Sequence, residues 1–407
     1  MHRLIFFFAL ANIGIGIFSA SSAQSTEVHP WTKAHNLETA GNIKGALVEM
    51  QKALLLDSKN ADYLAYMGHL EFLLNDFDTS LQHAQAALAI KNEPWYMVLA
   101  TRAAHLGGRF DLSLGLAKKA ELFGVKTLGE ANYRTVQEII ADHEGWNVKI
   151  HWHIAPDKFV ADGKSFSVLL AVPPKDLPYQ ITRIELSGGE ILQDIELRGN
   201  RHLKIRRPDK GPILLTTYVI RKAQNIFQKI DEASKQPSLP IPDHLQDFMK
   251  SSEKVNLEGA TLQKIAKTLK KENRIQTVRS ILQWMQEELS YKVSTFSNAE
   301  EVVVRGYGEC WAWSSVFTAL ARLSGIPARN AWGPTNYPGF ASPGHLKGHT
   351  WAEFFDPRLG WVPIEPQYPR QLGLLPHHYI RVSHSDPELG WGPVMNLPDT
   401  MKFEVLK

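Results

Sequence analysis

Apolar positions along the chain follow two regimes. From residue 31 to about 142 they recur at helical spacing, and from Trp146 they alternate. Three helical segments, "NIKGALVEMQKALLLD", "DFDTSLQHAQAALAIK" and "RFDLSLGLAKKAELFG", align with one another. Ile43, Phe77 and Phe110 correspond, as do Leu47, Leu81 and Leu114, and also Ala53, Ala87 and Ala120. The offsets are 34 and then 33 residues, the mark of a repeated supersecondary unit with small residues where helices approach. In "WNVKIHWHI" the period becomes two: Trp146, Val148, Ile150, Trp152 and Ile154 share one face, and Lys149, His151 and His153 the other.

Strand-like runs continue through "SFSVLLAV", "ITRIELS", "HLKIRR" and "PILLTTYVIR", separated by turn-forming stretches. They predict an antiparallel β-sandwich over 146–224. The proline-rich "SKQPSLPIPDH" marks a linker, taken as 225–254, and a last domain spans 255–407. That domain opens on two amphipathic helices, one lined by Leu262, Ile265, Ala266 and Leu269, the next by Val278, Ile281, Leu282, Met285 and Leu289. A third helix follows Cys310, with Trp313, Val316, Phe317, Leu320 and Leu323 on one stripe and Gly325 and Pro327 as its stop. The repeats of 31–142 resemble tetratricopeptide repeats, with Gly68 at the small position of the second unit. A plain helical bundle is the alternative, and the spacing shared by three units weighs against it. The resulting fold class is multidomain α+β.

Composition adds limits. Of 407 residues, 44% are apolar and 21% charged, as in folded globular chains, and the net charge of +3 comes without a dense Lys/Arg block. Nothing in that balance favours a nucleic-acid partner. His2 and Arg3 precede the apolar stretch "LIFFFALANIGIGIF", and "SASSAQ" offers small residues at Ser21 and Ala23. This pattern predicts a signal peptide over 1–23 cut after Ala23, and so a periplasmic or secreted chain. A membrane anchor is the alternative, but Leu4 to Phe18 falls short of the ~20 residues that span a bilayer, so no transmembrane segment is expected in the mature chain. With a single cysteine no internal disulfide is available.

That cysteine, in "RGYGECWAWSSVF", falls at a predicted helix start. Helix N-terminal N–H groups and the positive dipole end favour a thiolate there and can hold an oxyanion, while Gly306 and Gly308 permit a sharp turn into the helix. A buried structural thiol is the bland alternative. A nucleophilic thiol needs a base and a group that orients the base. "HTWAEFFDPRLGWVPIEPQ" supplies both on a predicted hairpin: His349, Trp351 and Glu353 share a face, and a turn centred on Arg358 sets Trp351 opposite Glu365 with His349 diagonal to it. Glu365 is therefore expected to orient His349 in preference to Asp356, a conclusion that a one-residue register slip would reverse.

Trp311 and Trp351 are candidates for shaping the site or contacting substrate, and Glu353 for a second carboxylate in the cleft. Trp313 reads as core. The Gly- and Pro-rich "GPTNYPGFASPGHLKG" is expected to form part of the cleft wall, and "LPHHYI" reads as a surface loop. His151 with His153, and His345 with His349, have metal-like spacing but lack convergent further ligands, so no metal and no cofactor is expected.

"YGECW", the helix ending "SGIPAR", the strand "HTWAEFF" and "GWVPIEP" together resemble the transglutaminase-like superfamily of papain-like thiol enzymes over roughly 255–368. The resemblance implies a cysteine helix packed on an antiparallel sheet. It also implies acyl transfer through a thioester, with Cys310 as nucleophile, His349 as base and Glu365 where the family usually carries aspartate. The β domain is similar to the sandwich that precedes such domains in bacterial secreted members. Cross-linking, deamidation and proteolysis all occur in the family, and the substrate is expected to be a protein or peptide. The repeats suggest a surface for a protein partner. The competing reading is a non-catalytic scaffold acting through those repeats.

Overall fold

The computed structural model describes residues 28–154, 160–162, 165–197, 199–207, 213–222, 226–335, 347–367, 372–373, 379–384 and 400–406. The expected signal peptide, His345, most of the "GPTNYPGFASPGHLKG" stretch and the histidines of "LPHHYI" lie outside them. Two compact units divide near residue 140.

The first unit is helical. Consecutive helices pair as Pro30–Thr39 with Ile43–Leu56, Ala61–Leu73 with Phe77–Ile90, and Pro94–Leu106 with Phe110–Glu121. The repeat extends to the caps. Asn42 accepts from the Gly45 N–H, and Asp76, one repeat on, accepts from the Thr79 N–H, each satisfying a donor that the first helical turn leaves unpaired. Arg109, at the third equivalent point, supplies no capping bond. Ala53, Ala87 and Ala120 are fully buried. Gly68 allows its helix to approach the next one closely, since a Cβ there would stand 2.9 Å from the Ser80 carbonyl oxygen.

The second unit holds the sandwich and the C-terminal core. One sheet runs in the order Thr400–Leu406, Gly145–Ile154, Ile213–Lys222, Gln180–Ser187, Asp176–Leu177. The other runs Val160–Asp162, Ser165–Ala171, Asn200–Arg206, Glu190–Leu197, and every pairing is antiparallel. Ile150, Trp152 and Ile154 meet Val168, Leu170, Leu203 and Ile205 between the sheets, as period two requires. The 400–406 strand, far along the chain, pairs with Gly145–Ile154 and so completes the sandwich from the C-terminal end. Trp332, Ile380 and Val382 of the C-terminal core enter the same apolar cluster. The segment read as a linker contains a helix, Ile226–Ser234, whose Ile230 and Ala233 are buried against the C-terminal helices.

In the C-terminal core the helix Cys310–Leu323, here called the thiol helix, is surrounded by Ala260–Leu269, Arg274–Glu288 and Ala299–Arg305. Its Val316, Phe317 and Leu320 are fully buried, and Trp313 is buried beside them. On its other side lies a sheet ordered Gly360–Ile364, Lys347–Asp356, Ala328–Thr335, Ser383–His384, which presents Ala352, Phe354, Val362 and Ile364 to the helix. Among the described residues no helix is long and apolar enough to cross a membrane.

Candidate active site

The strand Lys347–Asp356 and its return Gly360–Ile364 pair with Ala352 opposite Ile364 and Phe354 opposite Val362, a register centred on position 358. Continuing that register past Ile364 brings Glu365 alongside Trp351 and diagonal to His349. His349 Nε2 lies 2.7 Å from Glu365 Oε2, and Glu365 is fully buried. Its other oxygen accepts from the Gln367 N–H. A buried carboxylate bonded to imidazole fixes which ring nitrogen is engaged and leaves Nδ1 as the other pole of the ring. Asp356, the rejected alternative, lies at the far end of the strand and forms a buried ion pair with Arg274 at 2.8 Å.

Cys310 is the first residue of the thiol helix, which packs on the strand Lys347–Asp356, and the Thr350 backbone N–H, one residue from His349, favours the thiolate. Helix end and histidine strand therefore meet at the thiol. The two glycines before it do different work. Gly306, with φ +75°, closes the helix Ala299–Arg305 in the left-handed region. Gly308 leaves room for the thiol helix, because a Cβ on it would stand 2.4 Å from that of Ala312.

The expectation of a thiolate favoured by the helix end is corrected by a neighbour that the sequence reading passed over. Glu309 is the N-cap: its Oε2 accepts from the Trp311 N–H at 3.2 Å and its Oε1 from the Ala312 N–H at 3.3 Å. The Cys310 thiol donates to the same carboxylate, Sγ to Oε2 at 3.1 Å. The dipole and its N–H groups are thus spent on a carboxylate rather than on sulfur. Burial, and then the adjacent Glu309 charge, push the thiol well above the ordinary cysteine range, against a smaller opposing pull from the Thr350 N–H.

Tyr291 was also missed. A two-residue parallel pairing of Ser290–Tyr291 with Tyr307–Gly308 brings it beside the thiol. Burial and the nearby Cys310, Glu309 and Glu365 raise its phenol, which stays an O–H donor at neutral pH. Nothing in its local sequence distinguishes it from any tyrosine just after a helix.

Trp311 is half-buried beside Cys310, edge-on to Phe296 at 5.4 Å, with the Lys254 ammonium 5.6 Å from its ring. Trp351 is fully buried among Tyr179, Ala331 and Tyr379 and stacks behind His349 at 6.4 Å, so it supports the imidazole and presents no face to a substrate. Glu353 requires a correction. It is fully buried and bonded to Arg329 at 2.6 Å, to the Tyr179 hydroxyl, and more distantly to Arg381 at 3.8 Å. Burial of a carboxylate demands such partners, and with them it is a strut between sandwich and core rather than a cleft carboxylate. Of "LPHHYI" only Tyr379 and Ile380 are described; both are buried, and Tyr379 packs edge-on against His349 at 4.8 Å. His151 shares a hydrogen bond with Thr216 on the sandwich.

Comparisons with known proteins bear on the same segment. Residues 262–366 match the family model of the transglutaminase-like superfamily core. An uncharacterised protein of Haemophilus influenzae is 28% identical over 148 residues, and the match covers 30% of this chain and only 39% of that protein. The structure of a protein from Cytophaga hutchinsonii described as a candidate cysteine protease superposes with a TM-score of 0.43 at 15% identity, covering 65% of this chain and 92% of that one. The type III secretion translocator chaperone SycD of Yersinia enterocolitica is similar to the helical part, with a TM-score of 0.26 at 16% identity over 27% of this chain and 78% of its own. The helix bearing Cys310, the strand bearing His349 and the return to Glu365 all fall within the family match, and residues 262–366 are a transglutaminase-like core set in a longer multidomain chain.

Proposed function

We propose that the chain is an exported thiol enzyme that transfers or hydrolyses an amide acyl group of a protein or peptide through a thioester on Cys310. The transglutaminase-like core supports a thiol enzyme in general terms. The observation that carries the specific reading is the His349–Glu365 contact of 2.7 Å on the strand that packs against the helix begun by Cys310.

In this scheme His349 Nδ1 takes the Sγ proton as sulfur attacks the amide carbonyl carbon, and the carbonyl electron pair moves onto oxygen. Glu365 holds the ring and steadies the imidazolium. The Cys310 N–H at the helix start and the Tyr291 phenol are the donors suited to the oxyanion. Collapse of the tetrahedral intermediate breaks the C–N bond, the amine leaves with the proton from His349, and the thioester remains. Water or a second amine, deprotonated by His349, then attacks the thioester and releases the thiol. The helical repeats supply the protein-binding surface. An aromatic row of Trp31, His35, Tyr66 and His69, with successive ring centroids 6.0–6.4 Å apart, supports that part of the reading.

The test is to incubate the full chain, with reductant, with a peptide library and a labelled primary amine, alongside C310A. Amine incorporation identifies transfer, ammonia release identifies deamidation, and new termini identify proteolysis. If no product depends on Cys310, the enzyme reading is lost and the scaffold reading replaces it.

A further inference from the structure

We propose that Glu309 is a positioning residue that keeps Cys310 in its protonated resting form. It accepts the thiol proton and at the same time occupies two helix N–H groups that would otherwise steady a thiolate. The geometry is specific. One carboxylate takes three hydrogen bonds, from Trp311 N–H, Ala312 N–H and Cys310 Sγ, at 3.2, 3.3 and 3.1 Å. An ordinary cap needs only the first two. The third turns the cap toward the sulfur, where its charge opposes the charge separation between thiolate and imidazolium.

Apart from His349, the proposed base, the other groups near the sulfur do not offset it. Tyr291, from the short strand Ser290–Tyr291, offers a neutral phenol, and Glu365, past the return strand, adds a second negative charge held by His349. On the histidine strand, the Thr350 N–H is the contact that favours thiolate. The Lys254 ammonium is spread over the Trp311 and Phe296 rings, 5.6 and 5.4 Å from their centres. Resting Cys310 is therefore guarded against adventitious alkylation and oxidation. It becomes a nucleophile when Glu309 is neutralised or drawn away, and the latter also frees two N–H groups beside the reacting carbonyl. The second half of this statement rests on the proposed role of Cys310, whereas the first does not.

The experiment reads the thiol itself on the full chain, by iodoacetamide alkylation across pH and by ultraviolet titration of the thiolate with C310S as blank. Wild type is expected to titrate above the ordinary cysteine value of about 8.5. Glu309→Gln keeps a capping oxygen and removes the charge. It is expected to lower the apparent pKa by about one unit or more, so that alkylation at neutral pH accelerates roughly tenfold. Glu309→Asp, which retains charge and cap, is expected to follow wild type. If Glu309→Gln does not fold, Glu309→Ser, with its strong capping hydroxyl, takes its place with the same outcomes. A wild-type thiol titrating at or below the ordinary value, or a neutral variant that traces the wild-type curve, overturns the inference. A chain that titrates as expected yet yields no amide product leaves this inference intact and removes the proposed function.

Discussion

His349 Nε2 and Glu365 Oε2 are 2.7 Å apart, and the carboxylate is fully buried. This bond selects the imidazole nitrogen that can face the thiol. Glu365→Gln preserves size but not charge, and it is expected to lower kcat of the Cys310-dependent reaction by about 10²–10⁴-fold with little change in KM, read from steady-state kinetics. A Glu365→Gln enzyme as fast as wild type removes Glu365 from the proposed triad.

Asp356 offers the internal contrast. It sits on the same strand but pairs with buried Arg274. Asp356→Ala strands the guanidinium and is expected to cost about 3–5 kcal/mol of stability, measured by urea denaturation, with per-molecule activity retained in the folded fraction. Activity lost without loss of stability would reassign Asp356 to the chemistry.

Tyr291 is expected to act in the transition state. Tyr291→Phe keeps the ring and deletes the hydroxyl, so kcat is expected to fall by up to about 10²–10³-fold while Tm stays within a degree or two of wild type, compared by kinetics and thermal scans. An unchanged kcat assigns the hydroxyl to packing.

Alkaline pH is expected to weaken the fold through Cys310. Its thiol is raised in the folded chain above the unfolded value. The stabilising difference is therefore complete below about pH 8.5 and is lost as pH rises from there through the folded pKa. The denaturation midpoint is expected to drop over that range in wild type and to drop less in C310S. Parallel curves for the two proteins would refute the assignment.

Gly308 tests the close approach of the turn to the thiol helix. A methyl group 2.4 Å from the Ala312 Cβ cannot be accommodated without shifting the helix start. Gly308→Ala is expected to destabilise the core by about 1–3 kcal/mol and to alter the rate of Cys310 alkylation, both measurable on one preparation.

Legibility in the sequence followed periodicity. Helical stripes and alternating strands could be read where one face is buried, as in the thiol helix and in Gly145–Ile154. The strand Glu190–Leu197 escaped because it lies at a sheet edge, paired among the described residues only with Asn200–Arg206, and exposes most of both faces, so its sequence shows no alternation. The strand Thr400–Leu406 escaped for a different reason: its pairing with Gly145–Ile154 spans most of the chain, and no local signal encodes a partner so distant.

At the site, the hairpin register was readable because the turn through "DPRLG" is short, and a short turn leaves few pairings. That local constraint is enough to bring His349 and Glu365 together. The tertiary structure decided which carboxylate does what. Glu353 shares a strand face with His349 but is drawn into a buried cluster with Arg329, Arg381 and Tyr179, three residues remote in sequence. Glu309, adjacent to the thiol in sequence, proved its closest electrostatic neighbour, because the helix start folds the carboxylate back over its own N–H groups and onto the sulfur. The sequence by itself determined the repeats, the sandwich strands with clear alternation, the thiol helix and the hairpin, all set by short-range patterns. Only the tertiary structure decided burial, ion pairing and the protonation bias of Cys310, because these depend on the summed field and desolvation of groups from distant segments.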